Sequence, residues 1–338
     1  MRHKKVGIWS VLIILVVMVL GVSNFAVAQE FTVRAGTVAP EGTPWSKLLT
    51  DIAKRIETES NGRIKFKLYF GGKLGGEDSL VRRAQNGTLE MIGVSTGAMT
   101  GVVPELDTLE LPYLFDNYRQ IDHVLDNVVN DDFRKLLSAK GFYLYVWSEN
   151  GWRNIATKDR FVKTTGDLAG LKMRSQPNPV HVDMWQAWGA NAVPIAVPEV
   201  PSSLQNGVVS GYDNTLLFGY AAQWHQAIKK VTLSEHIYQP AVVVFNQQWY
   251  DKLPQDLKDI INRNVAEDTK NGRHAIRKLT KHLVKQYQTA GIEFYQHTAE
   301  EKSSFAAKAR PVWDKFRARS ATGSRLLDKI LEAKKQSK

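Results

Sequence analysis

Residues 171–179 of this 338-residue chain read Leu-Lys-Met-Arg-Ser-Gln-Pro-Asn-Pro. The apolar run at 170–173 predicts a short strand, and two prolines then make a rigid turn before a helical pattern at 180–188. Arg174 stands where the strand gives way to the turn. A strand, a tight turn and a helix in this order form the repeating unit of an α/β domain, so this stretch indicates the fold class.

The alternation of strand and helix patterns extends to both sides of this stretch. The predicted elements are strands at 31–35, 64–69, 91–94, 208–209 and 241–245, and helices that begin at Pro44 or cover 77–86 and 216–228. Period-two and period-3.6 apolar spacing distinguish the two kinds of element. The order predicts two α/β units with largely parallel sheets. We place their boundary near residues 149–152.

A long helical pattern follows at 255–288. Its apolar stripe is interrupted by Asp268, Thr269 and Gly272, which make the middle of that face small and polar. Two apolar parts on one helix favour packing against two different bodies, with a bend at the polar middle. The alternative is a pair of helices separated at residues 271–272.

The composition and the N-terminus indicate an exported protein. Arg2 begins a basic segment, residues 8–22 are apolar, and Ala-Val-Ala at 26–28 is typical of a signal-peptide cleavage site. We therefore predict a signal peptide over 1–28, the alternative being an uncleaved anchor. The chain contains no Cys, which excludes disulfides, thiolate metal sites and a lipid-modified cysteine.

The net charge of the chain is a weak indication of what the protein binds. The formal net charge is +11, or about +8 once the three basic residues of the leader are removed. The excess is spread along the chain, apart from a basic tail at 326–338 that we expect to be solvated. A positive protein can steer an anionic ligand. Because the charge is not clustered, we predict no nucleic-acid binding.

Planar side-chain donors near strand ends form the main candidate binding site. Arg174 and Arg153 each offer a fork of donors that matches a carboxylate, and Asn214 offers an amide. Asn178, in the turn after Arg174, supplies a further donor. Trp45 follows a proline-containing loop after the first predicted strand, where a ligand could contact its ring. These residues predict capture of a small organic acid.

The segment Gly93-Val-Ser95-Thr-Gly97 matches the G-x-S-x-G pattern of serine hydrolases. No HGGG-type segment precedes it, so we favour a ligand-facing loop in which Ser95 and Thr96 offer hydroxyl groups. The glycine-rich run at 71–76 lacks the spacing of a nucleotide-binding loop. The eight His show no metal-ligand spacing, so we assign neither metal nor cofactor.

Four stretches carry a family resemblance: 109–115, 167–179, 189–194 and 199–214. With them, essentially the whole chain after the leader resembles the solute-binding subunits of tripartite ATP-independent periplasmic (TRAP) transporters of the DctP type. The resemblance implies a two-domain α/β fold like that of periplasmic binding proteins, with crossing strands, a hinge and a long helix spanning both domains. On this basis we expect domain I at 29–150 plus about 241–270, and domain II at 151–240 plus about 271–325.

The resemblance also implies a function and a site. Arg174 would form a salt bridge with the ligand carboxylate, and Arg153 and Asn214 would line the cleft. The full candidate set is Arg174, Arg153, Asn214, Ser95, Thr96, Trp45, Asn178, Glu77, Tyr212 and Val197. The protein would be a periplasmic monomer without enzymatic activity that delivers its ligand to the small and large permease subunits for uptake driven by an ion gradient.

Two departures from the family pattern affect the shape of the pocket. Pro201 stands early in a stretch that is usually an uninterrupted helix. Trp152 places a large side chain at the middle position of the Gly-x-Arg motif. The ligand therefore stays open among C4-dicarboxylates, keto or hydroxy acids, sugar acids and aromatic acids. The alternative functions are an ABC-transporter receptor and a serine hydrolase that uses Ser95.

Overall fold

The computed structural model describes residues 29–336, so the predicted signal peptide lies outside the described residues. Within this range nine strands form one sheet, in the order β2-β1-β3-β8-β4-β7-β5-β6, and β9 pairs with β8. The strands are β1 (Phe31–Gly36), β2 (Ile64–Tyr69), β3 (Met91–Ser95), β4 (Phe142–Thr157), β5 (Lys172–Ser175), β6 (Asn191–Pro194), β7 (Gly211–Thr215), β8 (Lys230–Asn246) and β9 (Glu293–Gln296).

Helices connect and cover these strands. The α-helices are α1 (Pro44–Glu59), α2 (Glu77–Gln85), α3 (Thr96–Met99), α4 (Tyr118–His123), α5 (Asn130–Ala139), α6 (Pro179–Ala187), α7 (Val200–Gln205), α8 (Leu216–Ala221), α9 (Gln247–Asp251), α10 (Gln255–Asn262), α11 (Val265–Thr289), α12 (Ala299–Arg319) and α13 (Ala321–Gln336). Short 3-10 helices cover Pro104–Glu110, Thr165–Leu168, Val197–Glu199 and Trp224–Ala227, and a π-helix covers Val124–Val128.

On each side of the sheet the outer strands pair in parallel, whereas the two central strands β4 and β8 pair antiparallel with each other and with β7 and β3. β1 runs parallel to β2 and β3, and β5 runs parallel to β6 and β7. We refer to the parts of the molecule around β1–β3 and around β5–β7 as the first half and the second half. The mixed α/β class predicted from the strand and helix patterns is confirmed.

Two long strands, β4 and β8, join the two halves. The C-terminal part of β8 pairs with β3, whereas the C-terminal part of β4 pairs with β7. The two strands pair with each other along most of their length, with irregular register near Glu149 and Arg153. The boundary predicted near residues 149–152 therefore falls inside a strand rather than in a linker. The domain limits given above stay a prediction, because one sheet runs through both halves.

The sheet is covered on both faces by apolar side chains. Along β8, Val242 and Val244 belong to one buried cluster, while Val243 and Phe245 belong to another. Successive side chains of a strand point to opposite faces, so the two clusters lie on opposite sides of the sheet. A strand that is buried on both sides explains why 241–245 has a continuous apolar run.

The long helical segment is divided, but not where the sequence suggested. α10 ends at Asn262 and α11 begins at Val265, because Asn264 leaves helical geometry with φ −114° and ψ 18°. The alternative break at 271–272 is wrong, since α11 runs through Gly272. α11 contacts α1 of the first half and α8 of the second half. The prediction that one helix packs on both bodies is consistent with these contacts.

Three predicted elements are displaced or shortened. The strand expected at 170–173 is β5, and the strand expected at 208–209 is β7. Each is preceded by a turn at a glycine with positive φ, Gly170 (75°) and Gly207 (72°) respectively, which delays the start of the strand. The helix expected over 216–228 ends at Ala221, because Gln223 adopts a left-handed conformation with φ 62°.

The C-terminal tail is helical and packed rather than solvated. In α13, Leu327 and Ile330 are fully buried, and Lys334 forms an ion pair with Asp116 at 3.3 Å. Only the outer side of the helix, with Lys335, is exposed as expected. The basic residues obscured an amphipathic helix. Among residues 29–336, no helix combines the length and the apolar character that a membrane span requires.

Candidate functional site

A small cavity lies where the two halves meet, with a volume of about 20 Å³. Its lining residues are Thr37, Val38, Ala39, Trp45, Glu77, Gly93, Val94, Ser95, Asn150, Val197 and Phe218. Four predicted site residues, Trp45, Glu77, Ser95 and Val197, are therefore brought together. Such a cavity has room for about one water molecule.

The rims of the two halves touch at the edge of this cavity. A Cβ atom placed on Gly76 would lie 3.4 Å from the Cβ of Ala196, and one placed on Gly72 would lie 3.4 Å from Cγ of Pro198. The glycine-rich turn at 71–76 thus allows the first half to approach the segment that follows β6. This contact gives the run a packing role instead of a nucleotide-binding role.

Arg174 lies in β5 and is 1% exposed. Its Nε and Nη2 atoms both donate to the carbonyl oxygen of Ile195, at 3.0 and 2.8 Å. Its guanidinium carbon lies 5.1 Å from the ring centre of Trp224. Among residues 29–336, no carboxylate forms an ion pair with Arg174. Burial, with the charge of Arg153, lowers the pKa of Arg174 to about 9.

Arg153 lies in β4 and is equally buried, but its charge is compensated. Its Nε donates to Asp213 Oδ2 at 2.6 Å, and its Nη1 donates to Gln239 Oε1 at 2.8 Å. His236 Nε2 lies 3.2 Å from the same Asp213 oxygen. Burial acts to raise the pKa of Asp213, but the charge of Arg153 and the contact with His236 outweigh it and hold that pKa well below 3.8. Arg153 is therefore part of a buried ion cluster.

Asn214 and Tyr212 lie two residues apart in β7. Asn214 Oδ1 accepts from the backbone N–H of Thr215 at 2.8 Å and lies 3.5 Å from Arg153 Nη1. The Tyr212 ring packs edge to face on Trp224, which also lies beneath Arg174. Neither residue lines the cavity. Tyr212 instead supports the aromatic ring on which Arg174 rests.

Trp45, at the start of α1, contacts the central strand β4 and the strand β3 of the first half. Its Nε1 donates to the carbonyl oxygen of Glu149 in β4 at 3.0 Å. A Cβ on Gly93 would lie 3.0 Å from Cζ3 of the indole, so the glycine leaves room for the ring. Thr43 caps α1 by accepting from the N–H of Ser46, which fixes the position of Trp45.

The geometry around Ser95 differs from that of a hydrolase nucleophile. Ser95 Oγ donates to Glu77 Oε2 and accepts from Gln176 Nε2, both at 2.9 Å. A Cβ on Gly97 would lie 2.8 Å from the carboxylate oxygens of Glu110. The G-x-S-x-G pattern thus arises from two close packing contacts, since Gly93 accommodates Trp45 and Gly97 accommodates Glu110. In the described part of the chain, 29–336, the partners of Ser95 Oγ include no histidine.

Thr96 and Asn178 are held in buried hydrogen bonds and do not line the cavity. Thr96 Oγ1 donates to Glu110 Oε1 at 2.5 Å. Asn178 caps α6, accepting from the N–H of His181 at 3.0 Å, and donates to Asp107 Oδ1 at 2.7 Å. His181 Nε2 lies 2.6 Å from Glu110 Oε2. These contacts tie the 3-10 helix Pro104–Glu110 to α6.

Several residues of the site were missed. Asn150 and Phe218 line the cavity, and Asp213 and Gln239 hold Arg153. Asp213 stands between Tyr212 and Asn214, and Asn150 stands three positions before Arg153, so their polar character was a usable signal. Phe218 and Gln239 gave no such signal in the sequence. Phe218 is typical of a helix core residue, and Gln239 precedes a proline next to a predicted strand. Among residues 29–336 no group of His, Asp or Glu could hold a metal ion.

Comparisons with known proteins give a consistent result. The model of the family DctP, bacterial extracellular solute-binding protein, family 7, matches residues 35–320. A solute-binding protein of Verminephrobacter eiseniae is 34% identical over 227 residues, which cover 67% of this chain and 68% of the relative.

Two crystal structures of sugar-acid complexes share the fold. The sugar acid binding protein of Advenella mimigardefordensis, in complex with galactonate, has a TM-score of 0.85 and 28% identity, covering 89% of this chain and 98% of that one. A TRAP periplasmic solute-binding protein of Chromohalobacter salexigens, with bound D-glucuronate, has a TM-score of 0.85 and 25% identity, covering 89% and 99% of the two chains.

Proposed function

From the premise that this chain belongs to the DctP family of bacterial extracellular solute-binding proteins, family 7, we propose that Arg174 binds the carboxylate of a small organic acid between the two halves. The related sugar-acid complexes support an acidic ligand. We further propose export through the predicted signal peptide, action as a monomer in the periplasm, and delivery of the ligand to small and large TRAP permease subunits.

The state of Arg174 is the observation that carries this proposal. A buried guanidinium without an anionic partner has lost its hydration and gained little in return. A ligand carboxylate would supply charge-assisted hydrogen bonds at that point. Arg153 differs because Asp213 already compensates its charge. Arg153 and Asn214 would each add a hydrogen bond to the carboxylate.

Binding requires that the two halves move apart and close again. A cavity of about 20 Å³ is much smaller than any organic acid in question. Ligand contacts from both sides of the cleft would favour the closed state, which is a shift of population between two arrangements. The strands β4 and β8 and the helix α11 link the halves and would carry the hinge.

The alternative functions have less support. The serine hydrolase triad places a histidine beside the nucleophile, and within residues 29–336 Ser95 Oγ contacts Glu77 and Gln176 instead. An ABC-transporter receptor is disfavoured by the family match. We therefore propose a binding protein without enzymatic activity.

A ligand screen combined with a substitution of Arg174 tests the proposal. Thermal shift against a panel of sugar acids, hydroxy acids, keto acids and dicarboxylates should identify ligands, whose affinity calorimetry then measures. Arg174→Ala should weaken binding by on the order of a hundredfold or more, because truncating one partner of a buried charge pair costs roughly 2–5 kcal/mol. Arg160→Ala is the matched control, since Arg160 is exposed in the same half. An Arg174→Ala protein that is folded and binds within about threefold of wild type would refute the assignment.

A further inference from the structure

A second and larger pocket opens where the central strands β4 and β8 meet α12, with a volume of about 620 Å³. It is lined by segment 113–118, Trp152 of β4, Glu235 of β8 and one face of α12, and we call it the α12 slot. Its lining and that of the cavity containing Trp45 consist of different residues. Small-molecule sites usually have volumes of about 300–1,000 Å³. The α12 slot is therefore large enough for a ligand of its own.

The two sides of the α12 slot differ in shape. Tyr118 and Trp152 supply aromatic rings whose centres are 6.2 Å apart. The helix α12 contributes small side chains, those of Ala299, Ser303 and Ala306. These three positions are four and three residues apart, so they share one face of the helix. Aromatic rings beside a surface of small side chains leave room for a flat ring that stacks on them.

The backbone of the α12 slot is strained at two positions. Tyr113 and Glu235 have φ angles of 56° and 46°, in the left-handed region that residues other than glycine seldom adopt. The backbone N–H of Tyr113 donates to the carbonyl oxygen of His236 at 2.7 Å, so the two strained positions lie side by side. Within residues 29–336, the buried hydroxyl of Tyr113 also has no hydrogen-bond partner. Costs of this kind concentrate at functional sites.

The charges around the α12 slot are of both signs and are paired. Glu235 forms an ion pair with Lys302, and Asp116 forms one with Lys334 at 3.3 Å. Arg277 stacks on an aromatic ring of the lining, with its guanidinium carbon 4.2 Å from the ring centre. A cationic ligand would meet Lys302 and Arg277, and an anionic ligand would meet the two carboxylates. A neutral ligand avoids both repulsions.

The polar atoms of the α12 slot suit hydroxyl groups. The carboxylates of Asp116 and Glu235 accept hydrogen bonds, and the ammonium of Lys302 donates them. The amide of Asn117 does both, as does any hydroxyl group of a ligand. A purely apolar ring would cover these polar atoms without replacing their contacts with water, which is costly. A pyranose ring combines hydroxyl groups at its edge with C–H faces that stack on aromatic rings.

We propose that the α12 slot is a second binding site, separate from the cleft, for a neutral hydroxylated ring, the pyranose of an uncharged sugar. The ring stacks on Trp152 and Tyr118, and its hydroxyl groups bind the polar atoms of Glu235, Asn117 and Lys302. The site gives a role to Trp152, the large residue at the middle of the Gly-x-Arg motif. It goes beyond the proposed function, because it requires nothing of Arg174.

Saturation-transfer difference NMR with three uncharged sugars tests this proposal. The probes are methyl β-D-glucopyranoside, methyl β-D-galactopyranoside and methyl α-D-mannopyranoside, whose rings cannot open. At least one should give a saturable signal with the wild-type protein. Choline, benzoate and phenol represent a cation, an anion and a plain aromatic ring, and each should bind at least about tenfold more weakly than that sugar. If one of these three binds more tightly than every sugar, the ligand class is wrong.

Cellotriose establishes whether the ring arrives as a free sugar or within a longer glycan. A glycan would bind more tightly than the single ring, because further rings would extend beyond the open side of the slot. A site for single sugars would bind cellotriose no more tightly than the methyl glucoside.

A substitution on α12 locates the bound sugar. Ser303→Phe places a ring in the space that the sugar would occupy, so it should weaken binding by about tenfold or more. Ser304→Phe is the matched control, because Ser304 is the next residue of the helix, is exposed and lies outside the lining. Circular dichroism establishes that both variants are folded. Ser303→Phe protein that binds the sugar as the wild type does would refute the site.

Arg174→Ala separates this inference from the proposed function. Folded Arg174→Ala protein should keep the sugar signal while its binding of an organic acid is weakened. If it loses the sugar signal, the sugar binds in the cleft and the second site is wrong. If no uncharged sugar binds the wild-type protein, the second site is also wrong, and the proposed function stands as long as Arg174→Ala weakens the binding of an organic acid.

Discussion

Two buried arginines in neighbouring parts of the sheet have different surroundings. Arg153 contacts the carboxylate and the carbonyl of Asp213 and the amide of Gln239. Within residues 29–336, the contacts of Arg174 are with neutral groups, the carbonyl of Ile195 and the ring of Trp224. Their residue type alone suggests the same role for both. The structure separates them, because it shows which guanidinium already has a counter-ion.

Asp107 allows a test of buried electrostatics at the residue scale. Burial raises the pKa of Asp107 to about 7, although the hydrogen bond from Asn178 opposes the rise. The folded protein therefore binds a proton between about pH 4 and 7 that the unfolded chain has released, so stability should fall as the pH rises through this range. Asp107→Asn should remove this slope and raise the unfolding free energy at pH 8 by roughly 1–4 kcal/mol.

Urea denaturation at pH 5 and pH 8 measures this effect. Asp51→Asn is the control, because Asp51 is exposed, and its slope should match that of the wild type. If Asp107→Asn and the wild type lose the same stability between the two pH values, Asp107 is not the group responsible.

Part of the site could be predicted from the sequence. The partners of the other residues are set by how the strands pair and could not be predicted. The pattern around Arg174 located it correctly at the end of a short strand, and Ser95 and Trp45 line the cavity. The sequence could not reveal that Asn178 is fully used as a helix cap. It also could not pair Asp213 with Arg153, because the two residues are 60 positions apart on strands whose register is set by the whole sheet.

At the scale of elements, Gly272 is a packing contact within a continuous helix. A Cβ at this position would lie 2.9 Å from Cδ2 of Leu48 and 3.3 Å from Oγ of Ser148. α11 thus approaches α1 and β4 closely at that point. The small, polar middle of the helical stripe is explained by this approach. The helix is continuous through Gly272, and the bend expected there stays a prediction.

Two substitutions of Gly272 should have different effects on stability. Gly272→Ala should be nearly neutral, because the flexible end of Leu48 can move and the helix gains about 1 kcal/mol in propensity. Gly272→Leu should destabilise the fold by about 1–3 kcal/mol, since the larger side chain has no space. Thermal and urea unfolding measure both. If Gly272→Leu is as stable as the wild type but alters ligand-induced closure, the residue belongs to a hinge instead.

The strand and helix patterns were informative where local sequence decides the structure. β1, β2 and β3 lie within a residue or two of the predicted strands, because their apolar spacing is clear. Prediction failed for the C-terminal helix α13, where Lys334 and Lys335 suggested a solvated tail. Their charged ends reach solvent or Asp116 while Leu327 and Ile330 fill the core, and composition alone does not distinguish these faces.

At the scale of the whole molecule, β4 and β8 make the halves one sheet. The sequence indicated two α/β units but not how they are joined, because the pairing of β4 with β8 connects residues about 90 positions apart. Strands that pass from one half to the other restrict the possible motion to bending about the crossing region. This restriction is consistent with a cleft that opens and closes.

Closure should be visible in solution. If the ligand bridges the two halves, adding a saturating sugar acid should reduce the radius of gyration measured by small-angle X-ray scattering, since an open cleft is less compact. Folded Arg174→Ala protein at the same ligand concentration should keep the profile of the free protein. A wild-type profile that does not change at saturation would argue against closure, even if calorimetry shows binding.

The position of the ligand carboxylate tests the central claim most directly. A crystal structure of the protein with the sugar acid that binds most tightly should place both carboxylate oxygens about 2.7–2.9 Å from the guanidinium of Arg174. The rest of the ligand should lie beside Trp45 and Ser95, between the two halves. A carboxylate bound elsewhere, with Arg174 still donating only to the carbonyl of Ile195, would contradict the account.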